Sequence, residues 1–387
     1  MNDRRPIVIA VLATLVIAAA LVAWSWPRGQ GPAVASPSPT TTATPTAAAT
    51  TASATPSASL TATAAAGVLD DRFGFSYLPG STRPASVVVR SETDAARVAT
   101  LPPQDRSFVS ASRMVSPDGR SMAYWDPLND RAVLHIREVT GGGDRAVFTA
   151  ARGMYGGTFA WSSDGTGLVA ALDNNCQEIC AIQGGTPANE LWMVDLVSGK
   201  AERIASAGSK VWLPVAWDRA ANVVGAGVSG PGGYLTGFDV ISLSARPYAV
   251  RSTGFQPALC CALGIRASTD ERYVLLAWVR EEVQWWQVGD PARRSAIPSS
   301  KSPAVWRPGT GEIWWLDGSE LVSFDVATGT RRVAARGAFG GALVGFRVDG
   351  SAAITEDGSR LVFVDLASGR TAFASAGGEF RESVRLR

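Results

Sequence analysis

Four cysteines and one histidine are the side chains of this 387-residue sequence best suited to metal or nucleophilic chemistry, and their spacing restricts both. Cys176 and Cys180 stand in "CQEIC", and Cys260 and Cys261 are adjacent in "PALCCALG". In an exported chain four cysteines suggest disulfides. Three connectivities are open. Bonds joining the two segments, or closing the first on itself, are preferred over a strained vicinal Cys260–Cys261 bond. These spacings do not match a zinc knuckle and no histidine is near in sequence, so no metal is expected. His135 in "AVLHIREV" falls inside a predicted third strand of a repeat, where a structural or surface imidazole is expected rather than a catalytic one. No G-x-S-x-G elbow occurs, which argues against Ser-His-Asp hydrolysis. Carboxylate-only catalysis needs no histidine, but Glu281 and Glu282 are neighbours in a predicted turn and read as solvated charges. No catalytic residue, cofactor or enzymatic activity is predicted.

The aromatic residues divide into two groups. Trp161, Trp217 and Trp306 stand at equivalent places before a turn, and "VQWWQV" and "EIWWL" put adjacent tryptophans on opposite faces of a strand. Both patterns predict packing between repeats. Tyr155 in "RGMYGGT", Trp212 in "SKVWLP" and Tyr234 in "SGPGGYLT" read as loop residues, and are the candidates for a ligand- or partner-binding face or a sugar platform. The glycine runs at Gly141–Gly143 and Gly230–Gly233 open no helix, so they do not form a phosphate-binding loop.

A recurring knot sets the strands on which these residues lie. In "SPDG" Pro117 presets the first central dihedral, Asp118 bonds nearby backbone, and Gly119 accepts a positive φ, which makes a tight hairpin turn. Related units follow as "TFAWSSDGTGLVAAL", "PVAWDRAANVVGAGV", "LGIRASTDERYVLLAWV", "PAVWRPGTGEIWWL" and "LVGFRVDGSAAIT", making six. A second turn recurs as "DLVSGK", "DVATGT" and "DLASGR", so each unit holds four strands. Short antiparallel strands repeating every 40 to 50 residues or so describe β-propeller blades. "RFGFSYL", "ASVVVRS" and "ARVATL" precede the first unit. The run after Ala374 is expected to supply the innermost strand of a seventh blade built from them, closing the ring. The alternative is six blades with an N-terminal cap.

The chain carries 46% apolar residues and a formal charge of +2, enough for a large core and without the basic face that nucleic acid requires. Residues Ile7 to Trp26 carry no charge, and about 20 residues span roughly 30 Å, the hydrocarbon thickness of a bilayer. Arg4 and Arg5 precede this segment, so residues 1–6 are predicted cytoplasmic, 7–26 transmembrane, and the rest exported. A cleaved signal peptide with "AVA" at Ala33–Ala35, and hence a secreted protein, is the alternative. Residues 27–67 are rich in Pro, Thr, Ala and Ser, with almost nothing apolar to offset folding entropy, and read as a disordered stalk.

"SPDGRSMAYW", "WSSDGTGLVAAL" and "LWMVDLVSGK" resemble the TolB-like family of propeller repeats, related to WD-type repeats. The resemblance covers about 68 to 387 and implies an all-β propeller. Such repeats serve periplasmic assembly proteins, the gating propellers of prolyl peptidases and many surface proteins. The sequence shows neither the small α/β domain that precedes the TolB propeller nor a hydrolase domain, so neither activity is expected. The expectation is a single-pass, membrane-anchored, extracytoplasmic propeller with a protein or cell-envelope partner. Its partner face would be built from 173–190, 229–236 and 254–264. A carbohydrate or small-ligand receptor using the central pocket is the alternative.

Overall fold

The computed structural model describes residues 68–387 except 81–85, 104–112, 129–130, 175–188, 208–209, 230–234, 254–261, 269, 279–281, 291–293, 299–302, 338, 359 and 376. The predicted membrane segment and stalk lie outside the described residues, as do all four cysteines and Tyr234. Among the described residues no helix is long and apolar enough to cross a membrane.

Every sheet is antiparallel and built from consecutive strands, with one exception that closes the ring. The first three strands, β1 (Phe73–Leu78), β2 (Val88–Ser91) and β3 (Arg97–Thr100), belong to a closing blade. Blade 1 holds β4 (Ser121–Leu128), β5 (Arg131–Glu138) and β6 (Asp144–Thr149). Blade 2 holds β7 (Tyr155–Trp161), β8 (Gly167–Asp173), β9 (Asn189–Asp195) and β10 (Ala201–Ala207). Blade 3 comprises β11 (Val211–Asp218), β12 (Val223–Ser229), β13 (Leu235–Ser242) and β14 (Ala249–Ser252). Blade 4 comprises β15 (Ala262–Ala267), β16 (Tyr273–Trp278), β17 (Glu282–Gln287) and β18 (Arg294–Pro298). Blade 5 has β19 (Val305–Trp306), β20 (Glu312–Asp317), β21 (Glu320–Asp325) and β22 (Thr330–Arg336). Blade 6 has β23 (Ala342–Phe346), β24 (Ala352–Asp357), β25 (Arg360–Asp365) and β26 (Thr371–Ser375). Finally β27 (Glu379–Arg385) pairs with β1, from Phe73 opposite Arg385 to Leu78 opposite Glu379. The seven blades and the closure by the C-terminal run are both as the repeat pattern predicted.

Burial is greatest on the second strand of a blade and falls away towards the rim. The second strands β1 and β8 are buried along almost their whole length because a blade is sandwiched between two others, whereas the outermost β14 is exposed throughout. Separate apolar clusters fill the junctions between blades 2 and 3, 3 and 4, 4 and 5, 5 and 6, and 6 and the closing blade. One larger cluster joins the closing blade to blades 1 and 2. Adjacent tryptophans divide between clusters as strand alternation requires: Trp285 faces blade 5 and Trp286 blade 3, while Trp315 faces blade 4 and Trp314 blade 6.

The knots of blades 1, 2 and 4 share one wiring. Ser116, Ser162 and Ser268 each donate to the Asp two residues on, at 2.5, 2.7 and 2.5 Å. Each serine oxygen also accepts the backbone N–H five residues on, at 3.0, 2.9 and 3.0 Å. Gly119 and Gly165 then take the left-handed φ of 78° and 68°. In blade 4 that position is Glu271, at φ 57°, and its N–H donates to Ser268 O at 3.0 Å just as Gly119 N donates to Ser116 O. A bulky residue in this region costs on the order of 1 kcal/mol, so its side chain must contribute something in return.

The aligned tryptophans hold one blade to the one before. Trp161 Nε1 donates to Met114 O of blade 1 at 3.2 Å, and Trp306 Nε1 to Arg266 O of blade 4 at 3.3 Å. Trp217 lies over Gly167 of blade 2, where an added Cβ would sit 2.5 Å from the indole. Gly167→Ala is therefore expected to cost about 1–3 kcal/mol by overpacking, measured by urea unfolding. Unchanged stability would mean that Trp217 does not pack there.

Candidate functional site

The innermost strands run in the same sense round the axis, as the parallel bridge between Ser162 and Trp217 records for blades 2 and 3. Six innermost strands and the segment 113–116 of blade 1 leave a cavity of about 180 Å³ at the axis, lined by residues from every blade. Its wall carries three guanidinium groups, Arg113, Arg266 and Arg381, and one carboxylate, Glu382. Half-buried aliphatics, among them Val215, Ile265, Val344 and Val348, make up much of the rest.

Glu382 does structural work from β27. Its two oxygens accept Met114 N at 2.8 Å and Val115 N at 2.7 Å, which takes up the donors of the blade 1 inner segment. That segment pairs with β4 only through the bridge of Val115 to Met122, so blade 1 has three regular strands rather than the predicted four. Enclosure raises the Glu382 pKa above the usual range, with Arg113 and the two amides opposing. Arg381 donates to Glu379 at 2.9 Å.

The strained Glu271 sends its carboxylate to Arg113, Oε1 to Nη1 3.4 Å, and is itself only 1% exposed. The pair joins the blade 4 knot to the segment entering blade 1, and it is the return for the unfavourable φ. Burial pushes the Glu271 carboxyl well above the usual range; Arg113 and the Trp217 amide pull the other way, but less. Because the folded pKa exceeds the unfolded one, the folded state binds more protons above about pH 4.5, and stability falls as pH rises from there. Glu271→Gln removes this slope. Its melting temperature should therefore gain on the parent protein between pH 4.5 and pH 8, whereas a pH-independent difference would contradict a buried, proton-binding Glu271.

His135 has a structural setting in β5. It stacks on Tyr124 with ring centroids 5.3 Å apart, and its Nδ1 lies 3.0 Å from Asp144 Oδ1. Tyr124 donates to the other Asp144 oxygen at 2.5 Å, and burial together with Asp144 pushes its phenol pKa up. Glu281 lies outside the described residues, and Glu282 begins β17.

Of the aromatic candidates for a contact face, Tyr155 begins β7 and is 45% exposed, opposite Asp173 where β8 ends. Trp212 is corrected. It is not a loop residue but the second residue of β11, 3% exposed, packed in the core between blades 2 and 3, and it donates from Nε1 to buried Asp239 at 2.9 Å. Of the segments expected to form a contact face, 175–188, 230–234 and 254–261 lie outside the described residues. The strand ends that flank them, Asp173, Ser229, Leu235 and Ala262, fall at the same rim as Tyr155 because the blades repeat one topology.

Sequence reasoning missed the axial charges. Arg113, Arg266, Arg381 and Glu382 precede or lie within innermost strands, and a charged residue on such a strand was the available signal. Glu271 stood where the knots of blades 1, 2 and 6 carry Gly119, Gly165 and Gly350, which was the other.

No protein-family model matches the chain, and no curated protein matches it in sequence. Among solved structures the chain is similar to an oligogalacturonate lyase in complex with manganese, at 17% identity over 75% of this chain and 82% of that one, with a TM-score of 0.46. It is similar to AztD from Citrobacter koseri at 12% identity over 81% and 97%, with a TM-score of 0.46. It is also similar to TolB from Acinetobacter baumannii at 16% identity over 81% and 82%, with a TM-score of 0.38. The fold rests on the strand pairing itself: residues 68–387 form a seven-bladed β-propeller whose last strand, β27, pairs with β1 to complete the closing blade.

Proposed function

We propose that this protein is a membrane-anchored, extracytoplasmic binding module of TolB-like type, held by residues 7–26 and a stalk of residues 27–67, which recognises a protein or cell-envelope partner. The observation that carries the reading is the rim at Tyr155: the chain segments that follow Asp173 and Ser229 and that precede Leu235 and Ala262 all meet the strands on that side of a closed ring. Loops presented by such a scaffold are the usual seat of recognition. Binding rather than turnover is supported by the engagement of the one carboxylate that lines the axial cavity, Glu382, which is held by two amides.

The test is a photo-crosslinking residue in the native cell envelope, placed at Tyr155 in one variant and at Val197 in another. Val197 lies in the β9–β10 turn at the opposite rim and is 80% exposed. The reading expects a discrete crosslinked product from Tyr155 and none from Val197. Equal capture from both sites, or none from either, contradicts it.

A second reading, a small-ligand receptor that uses the central pocket, is favoured by the charged axial cavity.

A further inference from the structure

We infer that the axial cavity binds a small organic carboxylate, its acid group between Arg266 and Arg381 and its apolar body against the aliphatic wall. The inference rests on the pocket-receptor reading and specifies the class of ligand.

Three arguments converge. The first is charge. Arg113 is engaged by Glu271, and Glu382 is engaged by two backbone amides. Among the described residues Arg266 has no carboxylate within ion-pair distance, although it lines the same cavity as Arg381. Like charges gathered in an enclosed space repel, and a planar guanidinium fork is complementary to a carboxylate. The Arg266 pKa is lowered, first by enclosure and then by Arg381, with the more weakly felt Glu382 and Glu379 opposing. Arg266 is solvent-exposed and lines the cavity, so a ligand there can reach it.

The second argument is size. The cavity of about 180 Å³ slightly exceeds the roughly 150 Å³ that accepts benzene in an engineered apolar cavity. A single ring or a short chain bearing one acid group fits. The third is the wall itself. Val215, Ile265, Val344 and Val348 remain half-buried within the ring, and a bound apolar body would cover them. An inorganic oxyanion would use the arginines and leave that wall wet.

The experiment uses the full chain in detergent and titrates benzoate, inorganic phosphate and glucose separately at one ionic strength, by calorimetry and thermal melting. Saturable benzoate binding with a raised melting temperature is expected. Arg266→Gln should melt like the parent without ligand and bind benzoate about ten- to a hundredfold more weakly, as loss of a charge-assisted hydrogen bond implies. A measurement free of substitutions follows the arginine Nε–H resonances of the parent protein, where benzoate should shift Arg266 and Arg381. No saturable benzoate binding, equal binding by Arg266→Gln, or phosphate binding as tight as benzoate overturns the inference. Glucose binding with benzoate excluded overturns the carboxylate class but leaves a pocket receptor standing. Failure of all three ligands removes both.

Discussion

Deleting residues 379–387 should abolish cooperative unfolding and leave a chain that aggregates. The deletion removes the whole of β27, whose Phe380 and Val384 are buried in two different clusters and whose backbone pairs with β1. It also removes Glu382, which satisfies the Met114 and Val115 amides, and the bond from Arg385 N to Gly119 O at 2.8 Å that ties the strand to the blade 1 knot. Truncating one buried Phe costs about 3–5 kcal/mol, and each lost backbone hydrogen bond on the order of 1 kcal/mol. Together these rival the entire 5–15 kcal/mol or so that stabilises a typical domain. A synthetic peptide of residues 377–387, added in trans, should restore a cooperative melt by occupying the bared edge of β1. A truncated chain that melts like the parent would show that the ring does not depend on the last strand.

The second large effect is expected at the junction of blade 6 with the closing blade. Arg347 is 4% and Glu92 1% exposed, and the guanidinium meets the carboxylate in a two-pronged contact, Nε to Oε1 3.2 Å and Nη2 to Oε2 2.6 Å. Nη2 also donates to Val68 O at 2.7 Å, Nη1 to Ser351 Oγ at 3.2 Å, and the group lies 5.1 Å from the Phe73 ring. Burial outweighs Arg347 in setting the Glu92 pKa, which is raised, so the pair is costly to ionise and costlier to break. Arg347→Ala or Glu92→Ala alone strands a buried charge and should destabilise by about 3–5 kcal/mol. Arg347→Met with Glu92→Leu should lose much less than the sum of the single changes, because no unpaired charge remains. Urea unfolding of the four proteins decides it, and additive losses would mean that the two groups do not interact.

Regular features of the fold were legible because they obey short-range rules. The knot at Ser116–Gly119 announces a hairpin through side chains that bond their own backbone, and the alternation in "EIWWL" assigns Trp314 and Trp315 to opposite neighbours without any tertiary knowledge. The closing strand was legible by accounting, since three orphan strands before the first unit needed a fourth. What failed depends on contacts distant in sequence. Trp212 lies between Lys210 and Pro214 and reads as loop, yet Pro214 sits in an innermost strand beside a bulge, where its missing N–H is tolerated, and Asp239 receives the indole. The Arg347–Glu92 contact joins residues 255 apart, and the axial arginines come from three different blades. No local pattern encodes such meetings; only closure of the ring brings them about.

Amide hydrogen exchange of the intact protein, followed by mass spectrometry under native conditions, probes the ring seam without altering a residue. Peptides covering 379–385 should exchange as slowly as those covering 73–78, and in rising urea both should lose protection in a single step, as strands of one cooperative unit do. Free exchange in 379–385 while 73–78 stays protected would contradict a propeller sealed by its final strand.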